Sequence, residues 1–355
     1  MNPSRRIAIF PAVLGILTLL LISTGCGVKK QPAVKPLARL GWQIPWATQG
    51  QLVQALKHTT ILDQYPVQVE FKGFSYGGPL NEAALAGEVD IILTADQPAA
   101  TLLSRNENWT IVGRMMYNRV AIYVPPHSPI ETLADLKGKT VAIPFGAAAQ
   151  RDALRAMKNV GLDPQKDVKC VNLDIYEQSS IVQLGDSSNW GQIDALVGFD
   201  PTPAMFEVTG KARMLHVGKV VSLIVINNAF IAAHPDAVVA FLEAFQDAYL
   251  YFARYPDVTG QWFQKESRLE FDPQVLAVCA SVEPNYRAKS KSDVSLQLAE
   301  SDLAVMQEAA DFIFEQGLVK KQVNMRAHVN LRFLNQAEKS WRERPDDEFQ
   351  IRKTE

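Results

Sequence analysis

The sequence predicts an α/β protein of two similar lobes, with mainly parallel sheets, a hinge and an interlobe cleft. Three observations carry this. Strand-like runs rich in Val, Ile and Leu alternate with amphipathic helical segments along most of the chain, the order that lays down parallel sheets. One pattern also occurs twice. Gly87-Glu88-Val89-Asp90 leads into an apolar run that closes on Asp96-Gln97-Pro98, and Gly191-Gln192-Ile193-Asp194 leads into one that closes on Asp200-Pro201. Each copy reads as a turn, a buried parallel strand, and a loop at the strand's carboxyl end, where open α/β sheets bind ligands. Finally, the chain order implies one crossing between lobes near Met116–Arg119 and a return just before Val220. The first lobe is then discontinuous (37–117 and 219–338) and the second continuous (118–218).

The 355 residues are 47% hydrophobic and 21% charged, an ordinary globular composition long enough for two domains. The formal charge of -2 and a pI near 6.3 argue against nucleic acid as a partner. Five His and three Cys show no metal-ligand spacing, so neither a metal nor a cofactor is implied.

The N-terminus reads as an export signal over 1–25. Arg5 and Arg6 precede an uncharged stretch, Ile7 to Ile22, and then Ser23-Thr24-Gly25-Cys26. Cys after Gly25 resembles a bacterial lipobox, although Ser23 stands where an aliphatic residue is usual. That resemblance implies cleavage before Cys26 and a diacylglycerol on it. An ordinary secretory signal or an uncleaved anchor helix are the alternatives. Cleavage removes Arg5 and Arg6, so -2 less +2 leaves -4. Residues 26–36, polar with Pro32 and Pro36, form a tether. The expectation is an exported lipoprotein, membrane-anchored and facing the periplasm or cell exterior. Cys170 and Cys279 fall in different lobes on this reading, and no disulfide is expected between them.

Taken in order, Leu37 to Ile44 is a strand, Pro45 to Gly50 a loop, and Gln51 to Lys57 the start of a helix. Val67 to Phe71 alternates as a strand does. Gly77-Gly78-Pro79 opens a helix with Leu80, Ala83 and Ala84 on one face, closed by Gly87. Ile111-Val112 and Val120 to Val124 are strands. A short helix over Leu133 to Lys137, a strand over Lys139 to Ile143, and a helix carrying Leu154 and Met157 follow. Val168 to Leu173 and Val220 to Ile226 complete the strands. Pro235 starts a long helix with Val238, Phe241, Leu242, Phe245, Tyr249 and Phe252 on one stripe, and Leu303 to Phe314 is another. The charged segment 339–355 is expected to be a flexible tail.

Arg119-Val120-Ala121-Ile122-Tyr123-Val124, Ser128-Pro129-Ile130 and Leu133-Ala134-Asp135-Leu136-Lys137-Gly138-Lys139-Thr140-Val141-Ala142 together resemble the extracytoplasmic solute-binding proteins of ABC importers. Within them the chain is most similar to the nitrate, sulfonate and taurine group, which includes binders of thiamine-pyrimidine precursors. Ala233-His234-Pro235 and Ala309-Ala310-Asp311-Phe312 add to the likeness, which covers roughly residues 37 to 335. It implies a periplasmic-binding-protein fold, a monomer, a permease with its ATPase as partners, and recognition without catalysis. Family members often carry hydroxyl residues at the helix start after the strand ending in Ile143. Here Phe145-Gly146-Ala147-Ala148-Ala149-Gln150 has none, which argues against a bare inorganic anion.

The ligand site is expected where loops from both lobes converge. Trp46, Gln49, Tyr76, Gly77, Asp96 and Gln97 are the candidates from the first lobe. Phe145, Gly146, Ala147, Phe199 and Asp200 are those from the second. Glycines and helix starts offer N–H donors to an anion, and aromatic faces offer walls to an organic body. Asp96 and Asp200 serve equally well as helix N-caps. If they face the ligand they attract a cationic group, and a taurine-like zwitterion reconciles the two tendencies. Asn118 and Arg119 lie at the hinge, with Arg119 read as a structural ion-pair partner. The expected function is capture of a small organic solute, sulfonate or taurine-like, for delivery to a permease. A ligand sensor, or a biosynthetic enzyme on the same scaffold, is the alternative.

Overall fold

The two copies of the Gly-x-x-Asp pattern make the same connection. Asp90 accepts the backbone N–H of Arg39 at 3.0 Å, and Asp194 accepts that of Thr140 at 2.8 Å. In each case the carboxylate fastens its own strand to the first turn of the neighbouring parallel one. The turns before them need a left-handed glycine, with φ of 74° at Gly87 and 72° at Gly191. The computed structural model describes residues 34–346 and 348–352. The expected signal, Cys26 and most of the tether lie outside the described residues.

The strands are β1 (Leu37–Gln43), β2 (Gln68–Phe74), β3 (Ile91–Ala95), β4 (Trp109–Val124), β5 (Thr140–Ile143), β6 (Lys169–Asn172), β7 (Ala195–Phe199) and β8 (Arg213–Asn227). They form one continuous sheet in the order β2-β1-β3-β8-β4-β7-β5-β6. Its two ends, β2-β1-β3 and β6-β5-β7, are all parallel and have matching order. The long β4 and β8 join them through antiparallel pairings. The mainly parallel α/β reading therefore holds.

Twelve helices cover the sheet among the described residues: α1 (Ala47–His58), α2 (Gly77–Leu85), α3 (Asp96–Arg105), α4 (Ala148–Asn159), α5 (Ile175–Leu184), α6 (Thr202–Val208), α7 (Asn228–Ala233), α8 (Pro235–Arg254), α9 (Pro256–Ser267), α10 (Pro273–Ala280), α11 (Glu300–Glu315) and α12 (Arg332–Glu343). The six apolar positions on the stripe of α8 are all fully buried.

Three expectations are corrected. Ala47 to Gly50 belong to α1, not to a loop. Gly50 suggests a turn in sequence, but here it lets α9 approach, since a Cβ would lie 2.3 Å from Phe263. The segment between Ile111-Val112 and Val120 is not a break but the middle of β4, with register shifts on either side of Gly113 and Arg114. Buried Arg114 is tolerated there because Glu283 pairs with it at 2.7 Å. Finally, α12 runs through residue 338 into the segment expected to be loose. Trp341 is fully buried, and its indole N–H donates to Asp247 at 2.6 Å. Beyond it, Arg352 pairs with Asp63 at 2.7 Å.

A packed C-terminus has a measurable consequence. Trp341→Ala should cost about 3–5 kcal/mol, as large-to-small changes of buried aromatics do. Urea unfolding of the variant against the parent measures it, and an unchanged midpoint would mean that α12 does not hold the core.

Candidate functional site

Register brings the two parallel groups together at their carboxyl ends. The last residue of β3, Ala95, pairs with Ser222 of β8. The last residue of β7, Phe199, pairs with Val120 of β4, which pairs with Gly218 of β8. Only Tyr117–Arg119 of β4 and the facing residues of β8 separate the two ends. Helices α1, α2 and α3 begin on one side of this junction, and α4 and α6 on the other. The residue at the cap position of each gives no side-chain bond, although at α6 Asp200 accepts the Ala204 N–H. Elsewhere α5, α7 and α10 are capped by Asp174, Asn227 and Asp272, and α8, α9, α11 and α12 are not. Uncapped starts direct N–H groups and the positive end of the dipole into the junction.

The sides touch through polar and aromatic groups. Arg151 of α4 donates from Nη2 to Asp96 Oδ2 of α3 at 2.7 Å, and both side chains are at most 1% exposed. Gln97 Nε2 donates to Gln150 Oε1 at 3.5 Å. The rings of Trp46 and Phe199 meet edge-on at 5.9 Å. The N–H of Ala47 reaches the Asp200 carbonyl at 3.4 Å. Helix α4 is set directly on β8 by Gly218, where a Cβ would lie 2.1 Å from Asp152.

Arg151 is the centre of this arrangement. Its Nε and Nη1 are buried with no hydrogen-bond partner among the described residues. Close by in the fold, Trp46 Nε1, Thr94 Oγ1, Gln97 Oε1, both side-chain polar atoms of Asn118, and Ser222 Oγ are in the same state. Buried polar groups are nearly always paired, so orphans at the strand ends mark a place built to bind something polar. One edge of the guanidinium is held by Asp96. Nε and Nη1 point to different sides of the guanidinium and are left as two separate charged donors, each able to take an oxygen of a carboxylate, phosphate or sulfonate.

Burial raises the Asp96 carboxyl and Arg151 pulls it back. Burial likewise pushes Asp200 up to about 6, opposed by Arg119. Arg119 Nε lies 3.3 Å from Asp200 Oδ2, too poorly aligned for a hydrogen bond, and its Nη2 donates to Glu207 at 2.7 Å. Asp200 Oδ1 accepts the Ala204 N–H at 3.2 Å in the first turn of α6. Beside it the buried Cys279 thiol is pushed well above its ordinary range by desolvation.

The sequence candidates divide on this geometry. Trp46, Asp96, Gln97, Ala147, Phe199 and Asp200 are buried at the junction. Gly77 lets the start of α2 close on that of α3, since a Cβ would sit 2.5 Å from Pro98. Tyr76, just before it, is half-buried. Gln49 is corrected. Its carbonyl accepts the Gln43 N–H at 2.5 Å, and its NH2 donates to the Leu93 carbonyl at 3.2 Å and contacts Met115 Sδ at 3.3 Å. Those bonds tie β1 to β3 and leave little for a ligand. Phe145 is 39% exposed and lines a separate cavity with Leu154 and Cys170. Gly146, at φ 84°, makes the turn and donates its N–H to Gln150 at 2.8 Å. The sequence reading missed Arg151, one residue beyond the segment it weighed. A signal was present: an arginine in the first turn of a helix opposes the dipole and needs a compensating carboxylate or a task.

Comparison with known proteins fits this geometry. The family model described as NMT1/THI5 like matches residues 76–259. A protein of Escherichia coli (strain K12) named for aliphatic sulfonate binding is 26% identical over 283 residues, which cover 78% of this chain and 84% of that one. The alkanesulfonate-binding protein SsuA from Xanthomonas axonopodis pv. citri, bound to MOPS, superposes with a TM-score of 0.68 at 22% identity, covering 84% of this chain and all but 1% of its own. The desulfurization enzyme DSZB has the same fold, with a TM-score of 0.61 at 15% identity over 85% of this chain and 99% of that one.

Asp200 gives the site a pH signature. Its carboxyl moves from an ordinary 3.8 to about 6 on folding. Between those values the folded protein holds a proton that the unfolded chain has lost, so this group removes stability as pH rises from about 4 to about 6. Asp200→Asn lacks the component. Its unfolding free energy relative to the parent should therefore climb across that window and level off above it. Urea titrations over the range measure the difference, and a flat one would contradict the raised carboxyl.

Proposed function

The chain belongs to the NMT1/THI5-like family, and on that premise we propose that it is the substrate-binding component of an ABC importer for a small organic sulfonate or a taurine-like zwitterion. The observation that carries the reading is the buried Arg151 with two unpartnered N–H groups, set among uncapped helix starts. A sulfonate head carries one negative charge and three acceptor oxygens, enough to take one of those N–H groups and a neighbouring donor such as Asn118 or Trp46. Asp96 and Arg151 cancel each other, so an entering anion brings the only uncompensated charge of that trio. The helix starts stabilise it.

Residues 37–117 with 219–338 form one lobe on this reading, and 118–218 the other. They move about the middle of β4 and β8. The ligand bridges Gln97 and Trp46 on one side and Arg151 and Phe199 on the other, and so favours the closed arrangement. A permease with its ATPase then receives the solute. Lipid on Cys26 holds the monomeric protein at the membrane outside the cytoplasm.

We read the site as one of recognition alone. The thiol beside Asp200, Cys279, is fully buried, and desolvation pushes it well above its ordinary range, the opposite of an activated nucleophile. The shared fold of a desulfurization enzyme makes turnover the informative control.

Isothermal titration with alkanesulfonates, arylsulfonates, taurine and nitrate tests the proposal. A sulfonate should bind without being consumed. Arg151→Gln should weaken it by at least about 2 kcal/mol, roughly 30-fold in Kd, since bonds to a charged group are lost. Asp96→Asn, which keeps the guanidinium, should retain binding. Equal affinity in Arg151→Gln would overturn the assignment, and release of inorganic sulfur oxyanion would move the protein to the enzymes.

A further inference from the structure

Beside the junction lies a second cavity of about 440 Å³. Its walls are the Gln150–Leu154 face of α4, Phe145, Cys170 of β6 and, from beyond α11, Leu318. Gln150 and Leu154 are four residues apart and share one face of the helix, while Arg151 projects from the adjacent face towards Asp96. The polar junction and this largely apolar cavity therefore flank the same turn of α4. Gln150 touches both. Its Oε1 takes the Gly146 N–H at 2.8 Å and the Gln97 amide at 3.5 Å, and the longer of these bonds breaks with little loss.

The cavity resembles the junction in construction. Its walls come from both sides of the chain, β5, α4 and β6 on one and the segment after α11 on the other. A bond from Gln165 Nε2 to Gln316 Oε1 at 3.3 Å spans its outer side. Ile143, Leu154 and Val168 form its buried floor, and two of its apolar side chains reach solvent: Phe145 is 39% exposed and Leu318 52%. A chamber of this size with adjustable apolar walls and an anion grip next to it suits an amphiphile.

We infer that this cavity receives the apolar tail of the ligand whose anionic head pairs with Arg151. The preferred solute is then an arylsulfonate or a medium-chain alkanesulfonate, not taurine or methanesulfonate. The inference rests on the sulfonate reading of the junction and adds the tail. Gln150 swings aside from Gln97 to let the tail pass, and Phe145 and Leu318 close over it.

Two measurements on the full chain test it. The first is a titration series from methanesulfonate through octanesulfonate, with naphthalenesulfonate alongside. Each methylene buried in the cavity should add roughly fourfold in affinity, so octanesulfonate should exceed methanesulfonate by at least about 100-fold. Leu318→Ser, at an exposed position, should reduce octanesulfonate affinity by about tenfold and leave methanesulfonate unchanged. The second follows alkylation of Cys170 by peptide mass spectrometry. Naphthalenesulfonate at saturation should protect the thiol, and methanesulfonate at saturation should not. Affinity independent of chain length, or Cys170 alkylated equally fast with either ligand, overturns the tail assignment while leaving the head site standing. If no sulfonate binds at all, the head site fails and the tail assignment falls with it.

Discussion

An antiparallel pair in the middle of an otherwise parallel sheet fixes where the two halves of this chain can meet. Strands β4 and β8 run the width of both halves. The parallel group on one flank therefore points its carboxyl ends at those of the group on the other. The helices α1, α2, α3, α4 and α6, which follow such strands, start in the gap. The chemistry of the gap follows from that placement: backbone N–H groups at helix starts, dipoles with their positive ends together, and side chains from the first turns of α1, α3, α4 and α6. No single residue has to create an anion-attracting site, because the topology already supplies one.

What individual residues add is a charge arrangement that makes little sense as a device for stability. Burying Asp96 and Arg151 together costs desolvation that the ion pair recovers only in part. An apolar pair in the same place would hold the halves as well. The pair leaves half of a guanidinium unsatisfied, and the polar atoms of Asn118 and Ser222 are unsatisfied too. Such losses persist where a ligand offsets them. The second acidic group, Asp200, serves differently: its carboxylate is occupied by Arg119 and the start of α6. The two aspartates at matching places in the repeated pattern have thus diverged, one paired with Arg151 across the junction and the other with Arg119 and the start of α6.

The sequence carried the architecture well because the repeat is written in residue types with a strict physical role. Left-handed glycines, strand-tying aspartates and apolar runs sit at equal offsets in both copies. The core stripe of α8 was legible for the same reason. Other features were hidden by side chains with two meanings. Gly50 looks like a turn but permits helix contact. Arg114 looks like a strand break but has a buried carboxylate partner 169 positions away. The charged C-terminal segment hides Trp341, whose burial depends on Asp247 of α8. Trp46, Phe199 and Gly77 could be placed near the junction from their positions at strand ends, whereas Phe145 and Gly146 lie off it. Gln49 was misread because an amide at a helix start looks the same whether it faces a ligand or ties strands. Arg151 was passed over because its partner, Asp96, lies 55 residues earlier and only the fold brings them together.

We propose that an anionic head group takes one of the unpartnered N–H groups of Arg151 at the meeting point of the strand ends. A crystal structure with an iodinated arylsulfonate tests it most directly, since anomalous scattering from iodine and sulfur locates tail and head independently. The account predicts a sulfonate oxygen about 3 Å from Arg151 Nε or Nη1, with Asp96 still on Nη2. A sulfonate bound elsewhere, with those two nitrogens still unpartnered, would contradict it.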